Sequence, residues 1–150
     1  MIMEFKIIEA QKVFCETVTT TLKDICKLVG DKPAQLMQEA ADAGFEIAGP
    51  QIWMYKGADG NPDTTFTLTI GIPVTTGERQ HEKVKTLPSF SCAAGVMNGP
   101  WEQFSEFYPQ LIGDVCCQEK SLTGISREVY HVVDFQNPAN NVTEVQIGIQ

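Results

Sequence analysis

Pro50-Gln51-Ile52-Trp53-Met54-Tyr55, followed by Asn61-Pro62 and Ile70-Gly71-Ile72, returns later as Arg127-Glu128-Val129-Tyr130, Asn137-Pro138 and Ile147-Gly148-Ile149. Tyr55 is matched by Tyr130, half a chain length away in 150 residues. Two halves of similar design pack about a pseudo-twofold axis, and the cleft between them is a natural pocket. The copies differ two residues before the tyrosine, where the first has Trp53 and the second Glu128. A carboxylate facing an aromatic ring across such an axis points to function rather than to packing.

Outward from these strands, the flanking pattern repeats as well. Residues 3–8 and 13–21 are rich in β-branched and apolar residues and read as a strand or a bent strand. Leu22, Ile25, Cys26 and Val29 fall at helical spacing and stop at Gly30. Asp31-Lys32-Pro33 opens a helix whose apolar stripe is Leu36, Met37, Ala40, Ala41, Gly44 and Ile47. Strands follow at residues 51–56 and 65–74, joined by the turn Gly57–Asp63. A polar crossover at Gly77–Lys85 leads to β-like residues 86–97. Asn98-Gly99-Pro100 then opens a second helix with Trp101, Phe104, Leu111, Ile112 and Val115 as its stripe. Pro109 inside it should kink or split the helix, letting Tyr108 lean outward. Residues 127–135 and 142–149 are the last strands. The expected fold is α+β: duplicated β-α-β-β halves with pseudo-twofold symmetry, an antiparallel sheet with helices on one face, and a ligand cleft between halves. One domain spans residues 1–150, with halves at about 1–75 and 84–150.

Composition narrows the function. A net charge of −8 and a pI near 4.7 lack the basic stripe that nucleic acid or an anionic membrane needs. Neither is expected as a direct partner. Five cysteines, an odd number without a C-x-x-C pair, indicate neither a disulfide framework nor zinc. They read as small buried hydrophobes in a reducing compartment. Met1–Lys6 lacks a signal-peptide pattern and no segment reaches the length of a membrane span, so the protein reads as cytoplasmic and Asn141-Val142-Thr143 as a chance sequon.

Few motifs carry chemistry. Asp59-Gly60-Asn61-Pro62-Asp63 starts like a calcium loop, but Thr64 and Ile70 stand where glycine and glutamate belong, so it reads as a turn. His81 and His131 have no metal-like partner at helical spacing, and no nucleotide-binding or nucleophile-elbow motif occurs. No metal or cofactor is expected. Strand alternation puts Glu128, Tyr130 and Val132 on one face and Val129, His131 and Val133 on the other, with the second set as core. Trp53 and Tyr55 occupy the equivalent face of the first half. Convergence of Trp53, Tyr55, Glu128 and Tyr130 would make an aromatic wall with one carboxylate, which suits a lipophilic cation. The same burial would raise the carboxyl pKa and suit a general acid or base. The plain alternative is a solvated strand glutamate beside Arg127. Trp101 at its helix start reads first as core.

Three stretches together resemble the gyrase-inhibitor-like small-molecule-binding family, the effector-binding domain of many bacterial multidrug-sensing regulators, also found as stand-alone proteins. They are Gly49–Tyr55 with Ile70-Gly71-Ile72-Pro73-Val74, then Gly99-Pro100-Trp101, then Glu128-Val129-Tyr130 followed by Asp134, Pro138 and Glu144. The resemblance spans nearly the whole chain. It implies a pocket between the halves, with Glu128 as the ligand-contacting glutamate and Tyr55, Trp101 and Tyr130 as aromatic walls. The chain departs from the family pattern at Pro109 and at Ile149-Gln150, where the family pattern ends in an apolar-Pro pair. No DNA-binding domain is attached, so direct transcription control is not expected.

Three functions follow as expectations. The first is a binding protein that senses or sequesters lipophilic small molecules, cations among them, with Trp53, Tyr55, Trp101, Tyr108, Glu128 and Tyr130 at the ligand. The second, which the resemblance implies, is a hydrolase of reactive electrophiles such as cyclopropane-bearing toxins, with Glu128 as general base beside Tyr130. The third is a module that inhibits a protein partner such as DNA gyrase, for which the cleft should be filled. The sequence leaves the oligomeric state open.

Overall fold

The computed structural model describes residues 3–76 and 79–150; Gly77 and Glu78, at the start of the expected crossover, lie outside the described residues. Nine strands form, in chain order, β1 (Met3–Ile8), β2 (Gln11–Thr20), β3 (Glu46–Ile47), β4 (Ile52–Lys56), β5 (Phe66–Thr75), β6 (Val84–Leu87), β7 (Phe90–Asn98), β8 (Leu122–Val132) and β9 (Val142–Ile149). The path across the sheet is β1-β7-β9-β8-β4-β5-β2-β6, with β3 on β5. Every pairing among the described residues is antiparallel.

The repeat in the sequence is a symmetry of this sheet. From the central β4–β8 pair, β5, β2 and β6 follow on one side, and β9, β7 and β1 on the other. Trp53 pairs with Glu128 across that ladder. The two residues that correspond by repeat are therefore also cross-strand partners, so the pseudo-twofold axis passes between them.

The two halves exchange an edge strand. β1 precedes β2 in the chain but pairs with β7, while β6 precedes β7 but pairs with β2. Ile8 faces Phe90 and Gln11 faces Leu87, so pairing resumes in register past the bends at Glu9-Ala10 and Pro88-Ser89. One bent ribbon thus joins both ends of the sheet path. The sequence shows the bend in residues 3–21 but not this exchange, because alternation encodes faces and not partners.

Three helices pack on one face: α1 (Ile25–Val29), α2 (Lys32–Asp42) and α3 (Phe104–Cys117), the last entered through a 3-10 turn at Trp101–Gln103. Leu36 and Ala40 of α2 bury against Phe14, Phe45, Leu68, Ile70 and Ile72. Asp31 stands at the helix start but makes no side-chain cap bond. Gly44, at φ 85°, turns the chain out of the helix, so Ile47 leaves the expected stripe and lies exposed in β3. In the second half, Leu111 of α3 packs on Val145 and Ile147. Pro109 does not split α3. The carbonyl it leaves unbonded belongs to exposed Ser105, where water can satisfy it. No helix among the described residues is long and apolar enough to cross a membrane.

The opposite face of the sheet has its own core beneath the ribbon: Val13, Cys15, Ile52, Leu87 and Val129. Cys15 and Cys92 are buried as expected, whereas Cys26, Cys116 and Cys117 are exposed; all five are free thiols. Arg127, only 1% exposed, is buried on this face. Its Nη2 donates to the Pro88 carbonyl at 3.1 Å, and its guanidinium lies 4.1 Å from the Phe90 ring centroid. Its Nε and Nη1 have no partner among the described residues. Burial pushes the nearby Cys92 thiol up to about 11, so that group offers no countercharge. A buried cation without an anion is costly. Arg127→Met, which keeps the length and drops the charge, should raise unfolding stability by about 1–3 kcal/mol. Arg127→Ala should lower it by about 2–4 kcal/mol through the cavity it leaves. Denaturant titration of both variants checks the pair of signs.

Candidate ligand site

Between α2 and α3, above β4 and β8, the helices leave a cavity of about 1630 Å³. Cavities for single drug-sized ligands usually measure about 300–1,000 Å³. Trp53, Tyr55, Ser126, Glu128 and Tyr130 make its floor. Ile25, Val29 and Met37 form one wall, and Trp101, Phe104, Tyr108 and Ile112 the other. Half-exposed Met37 thus belongs to the cavity rather than to a helix core.

Glu128 lies at the centre and is 3% exposed. The plain reading of a solvated strand glutamate does not hold. Tyr55 donates its hydroxyl to Glu128 Oε1 at 2.9 Å. Tyr130 donates to the same oxygen, and Tyr108 donates to Oε2. The chain has three tyrosines, and all three end on this carboxyl group. The strands explain two of them. Tyr55 and Tyr130 each lie two residues past the axial pair, and antiparallel strands bring them in from opposite ends. The third comes from α3. The unsplit helix turns Tyr108 inward instead of letting it lean outward at Pro109.

Among the described residues no Lys, Arg or His forms an ion pair with Glu128. Arg127, its neighbour in sequence, points to the opposite face as strand alternation requires. Burial pushes the Glu128 carboxyl above its ordinary value, opposed by the three phenol donors, which favour the carboxylate. Burial and the adjacent carboxylate push all three phenols well above their ordinary value, so they remain protonated donors. The site is a desolvated acid held by neutral hydrogen bonds, without a countercharge among the described residues.

The aromatic walls are fixed by polar anchors. Trp53 Nε1 donates to Gln51 Oε1 at 2.6 Å, and Trp101 Nε1 donates to Thr143 Oγ1 at 3.2 Å. Tyr130 stands edge-on to both rings, at centroid distances of 5.5 Å from Trp53 and 5.7 Å from Trp101. Trp53, Tyr55, Trp101, Tyr108, Glu128 and Tyr130 all line the one cavity. Val133 differs from expectation. A register shift between Tyr130 and Val132 breaks the alternation, so Val133 is exposed and lines the cavity with Phe135 instead of joining the core. His131 is likewise exposed.

Residues 3–150 match the model of the GyrI-like small molecule binding domain, and the chain belongs to that family. Solved structures with the same fold include the C-terminal domain of EcmrR, 17% identical, with a TM-score of 0.77 over 99% of this chain and 96% of that one. SAV2435 bound to tetraphenylphosphonium is 12% identical, with a TM-score of 0.65 over 100% of this chain and 94% of that one. A hydrolase from Listeria innocua is 10% identical, with a TM-score of 0.57 over 99% and 91%. No curated protein matches the chain.

Proposed function

We propose that the protein binds lipophilic monocations in the cleft between its halves, so as to sense or sequester them, and that residues 1–150 work as one binding unit. The observation that carries this reading is the buried Glu128 carboxyl, hydrogen-bonded by three tyrosines in an apolar cavity and lacking a cationic partner among the described residues. An anion so placed is costly until a cation arrives. The rings of Trp53, Trp101 and the tyrosines offer cation–π contact and apolar area to the same ligand. The neighbour SAV2435, seen with tetraphenylphosphonium, supports that ligand class. Calorimetric titration with tetraphenylphosphonium and with neutral triphenylphosphine oxide tests it. The cation should bind at least about tenfold more tightly, a difference of about 1.4 kcal/mol. Equal affinities would overturn the reading.

A hydrolase is the second reading. Oε1 accepts two phenol donors and Oε2 only one, which leaves Oε2 a lone pair for a water. A raised carboxyl pKa suits a general base, and one neighbour of this fold is a hydrolase. Turnover of a strained electrophile, lost in Glu128→Gln, would favour it. The partner-inhibitor reading calls for a filled cleft, and the cavity argues against it.

A further inference from the structure

Four aromatic rings run in file from the pseudo-axis to solvent. Trp53 stands edge-on to Tyr130 at 5.5 Å, Tyr130 to Trp101 at 5.7 Å, and Trp101 to Phe135 at 6.0 Å, with interplanar angles of 78°, 73° and 79°. The first three are anchored by hydrogen bonds to Gln51, Thr143 and Glu128. The fourth is different. Phe135 is 82% exposed, the most exposed large hydrophobic side chain among the described residues. It nonetheless lines the cavity.

Its loop is held in place. Asp134 Oδ1 accepts the backbone N–H groups of Gln136 and Asn137 at 3.1 and 2.9 Å, and its Oδ2 accepts Asn140 Nδ2 at 3.1 Å. Buried Asn141 accepts the Asp134 N–H through Oδ1 at 2.7 Å. The fold therefore presents a phenyl ring at the cavity rim while burying almost none of it. Such a ring contributes little to folding, and its apolar area leaves water only when something else covers it. The corresponding turn of the first half brings Asp59 and Gly60 to the cavity and has no aromatic residue there. The rim is thus aromatic at one end only.

We infer that Phe135 is a ligand-contacting residue, and that the preferred ligand is an elongated aromatic monocation: its charged head lies at Glu128 and its aromatic arm runs along Trp101 to Phe135. This rests on the cation-binding reading of the same cavity and adds the ligand's shape and direction. A compact cation meets Glu128 and the tyrosines without reaching the rim. A cation with a conjugated arm covers Phe135 as well, and gains from aromatic contact that the compact one lacks.

Two probes with the same head separate these cases: N-methylpyridinium, and 4-(4-dimethylaminostyryl)-N-methylpyridinium, which adds an arm. Dissociation constants are measured for wild type, Phe135→Ala, Phe135→Trp and Glu128→Gln. Phe135→Ala should weaken the styryl cation about tenfold and leave N-methylpyridinium within about twofold. Phe135→Trp should restore the styryl cation's affinity. Glu128→Gln should weaken both. Phe135 is so exposed that its variants should melt with the wild type, and melting curves confirm that the folds are equal. Unchanged styryl affinity in Phe135→Ala, or equal loss for both probes, overturns the inference and leaves cation binding intact. Binding of both cations that ignores Glu128→Gln, or no binding to the wild type, overturns the cation reading itself and Phe135's role with it.

Discussion

At pH 8, Glu128→Gln should unfold at a higher temperature than the wild type without ligand, yet gain nothing from a lipophilic cation. Both halves of this result follow from one side chain. The wild-type carboxylate is buried and has no cationic partner among the described residues. Glutamine keeps the shape and an acceptor for the tyrosine hydroxyls but carries no charge. Removing the desolvation cost should add about 1–3 kcal/mol to apo stability. The wild type should gain about 2.7 kcal/mol from tetraphenylphosphonium at 100 times its dissociation constant. The variant should gain almost none of it. The sign is fixed by the upward shift of the carboxyl. A carboxyl raised in the fold stabilises it in acid, where it holds its proton, and that contribution is lost as pH rises through the folded value. The variant's advantage should therefore vanish in acid and reach its full size once the pH is above the folded value. Scanning calorimetry across that range, with and without the cation, checks both. An apo variant less stable than wild type at pH 8 would mean that the tyrosines fully offset the buried charge.

The second large effect is competition between proton and cation. Glu128 must shed its proton to pair with a cationic ligand, and burial holds that proton above the ordinary carboxyl range. Below the folded value, affinity for a monocation should fall about tenfold per pH unit, or about 1.36 kcal/mol. Above it, affinity should level off. Binding within the sloping range should release protons, which titrations in buffers of different ionisation enthalpy detect. Tyr55→Phe provides a control with a known direction. It removes a donor that favours the carboxylate, so the carboxyl value should rise and the whole curve move to higher pH. A profile that stays flat from neutral pH down into the ordinary carboxyl range would exclude Glu128 as the group that the cation meets.

Much of this architecture is legible in the chain. The repeat of Trp53-x-Tyr55 as Glu128-x-Tyr130 places the symmetry axis, because a period-two pattern on antiparallel strands fixes which side chains share a face. The aromatic and acidic residues expected at a ligand do line one cavity. Other features are not local properties of the sequence. The exchange of β1 and β6 is a choice of partner, which alternation does not encode. The shift after Tyr130 moves Val133 and Phe135 to the cavity without any glycine or proline to mark it. Pro109 does not split its helix, for a different reason: the helix loses one bond there, and the exposed Ser105 carbonyl tolerates the loss. Tyr108 then points to Glu128, a consequence of helix phase against a strand distant in the chain. Arg127 reads as the neighbour of a solvated strand glutamate but is buried on the far face beneath the ribbon.

A crystal structure of the protein with tetraphenylphosphonium tests cation binding at Glu128 most directly. The phosphorus should lie within about 6 Å of the tyrosine ring faces that surround Glu128, with phenyl groups against Trp53 and Trp101. A cation seated on the acidic surface instead, with Glu128 still closed off by Tyr55, Tyr108 and Tyr130, would contradict it.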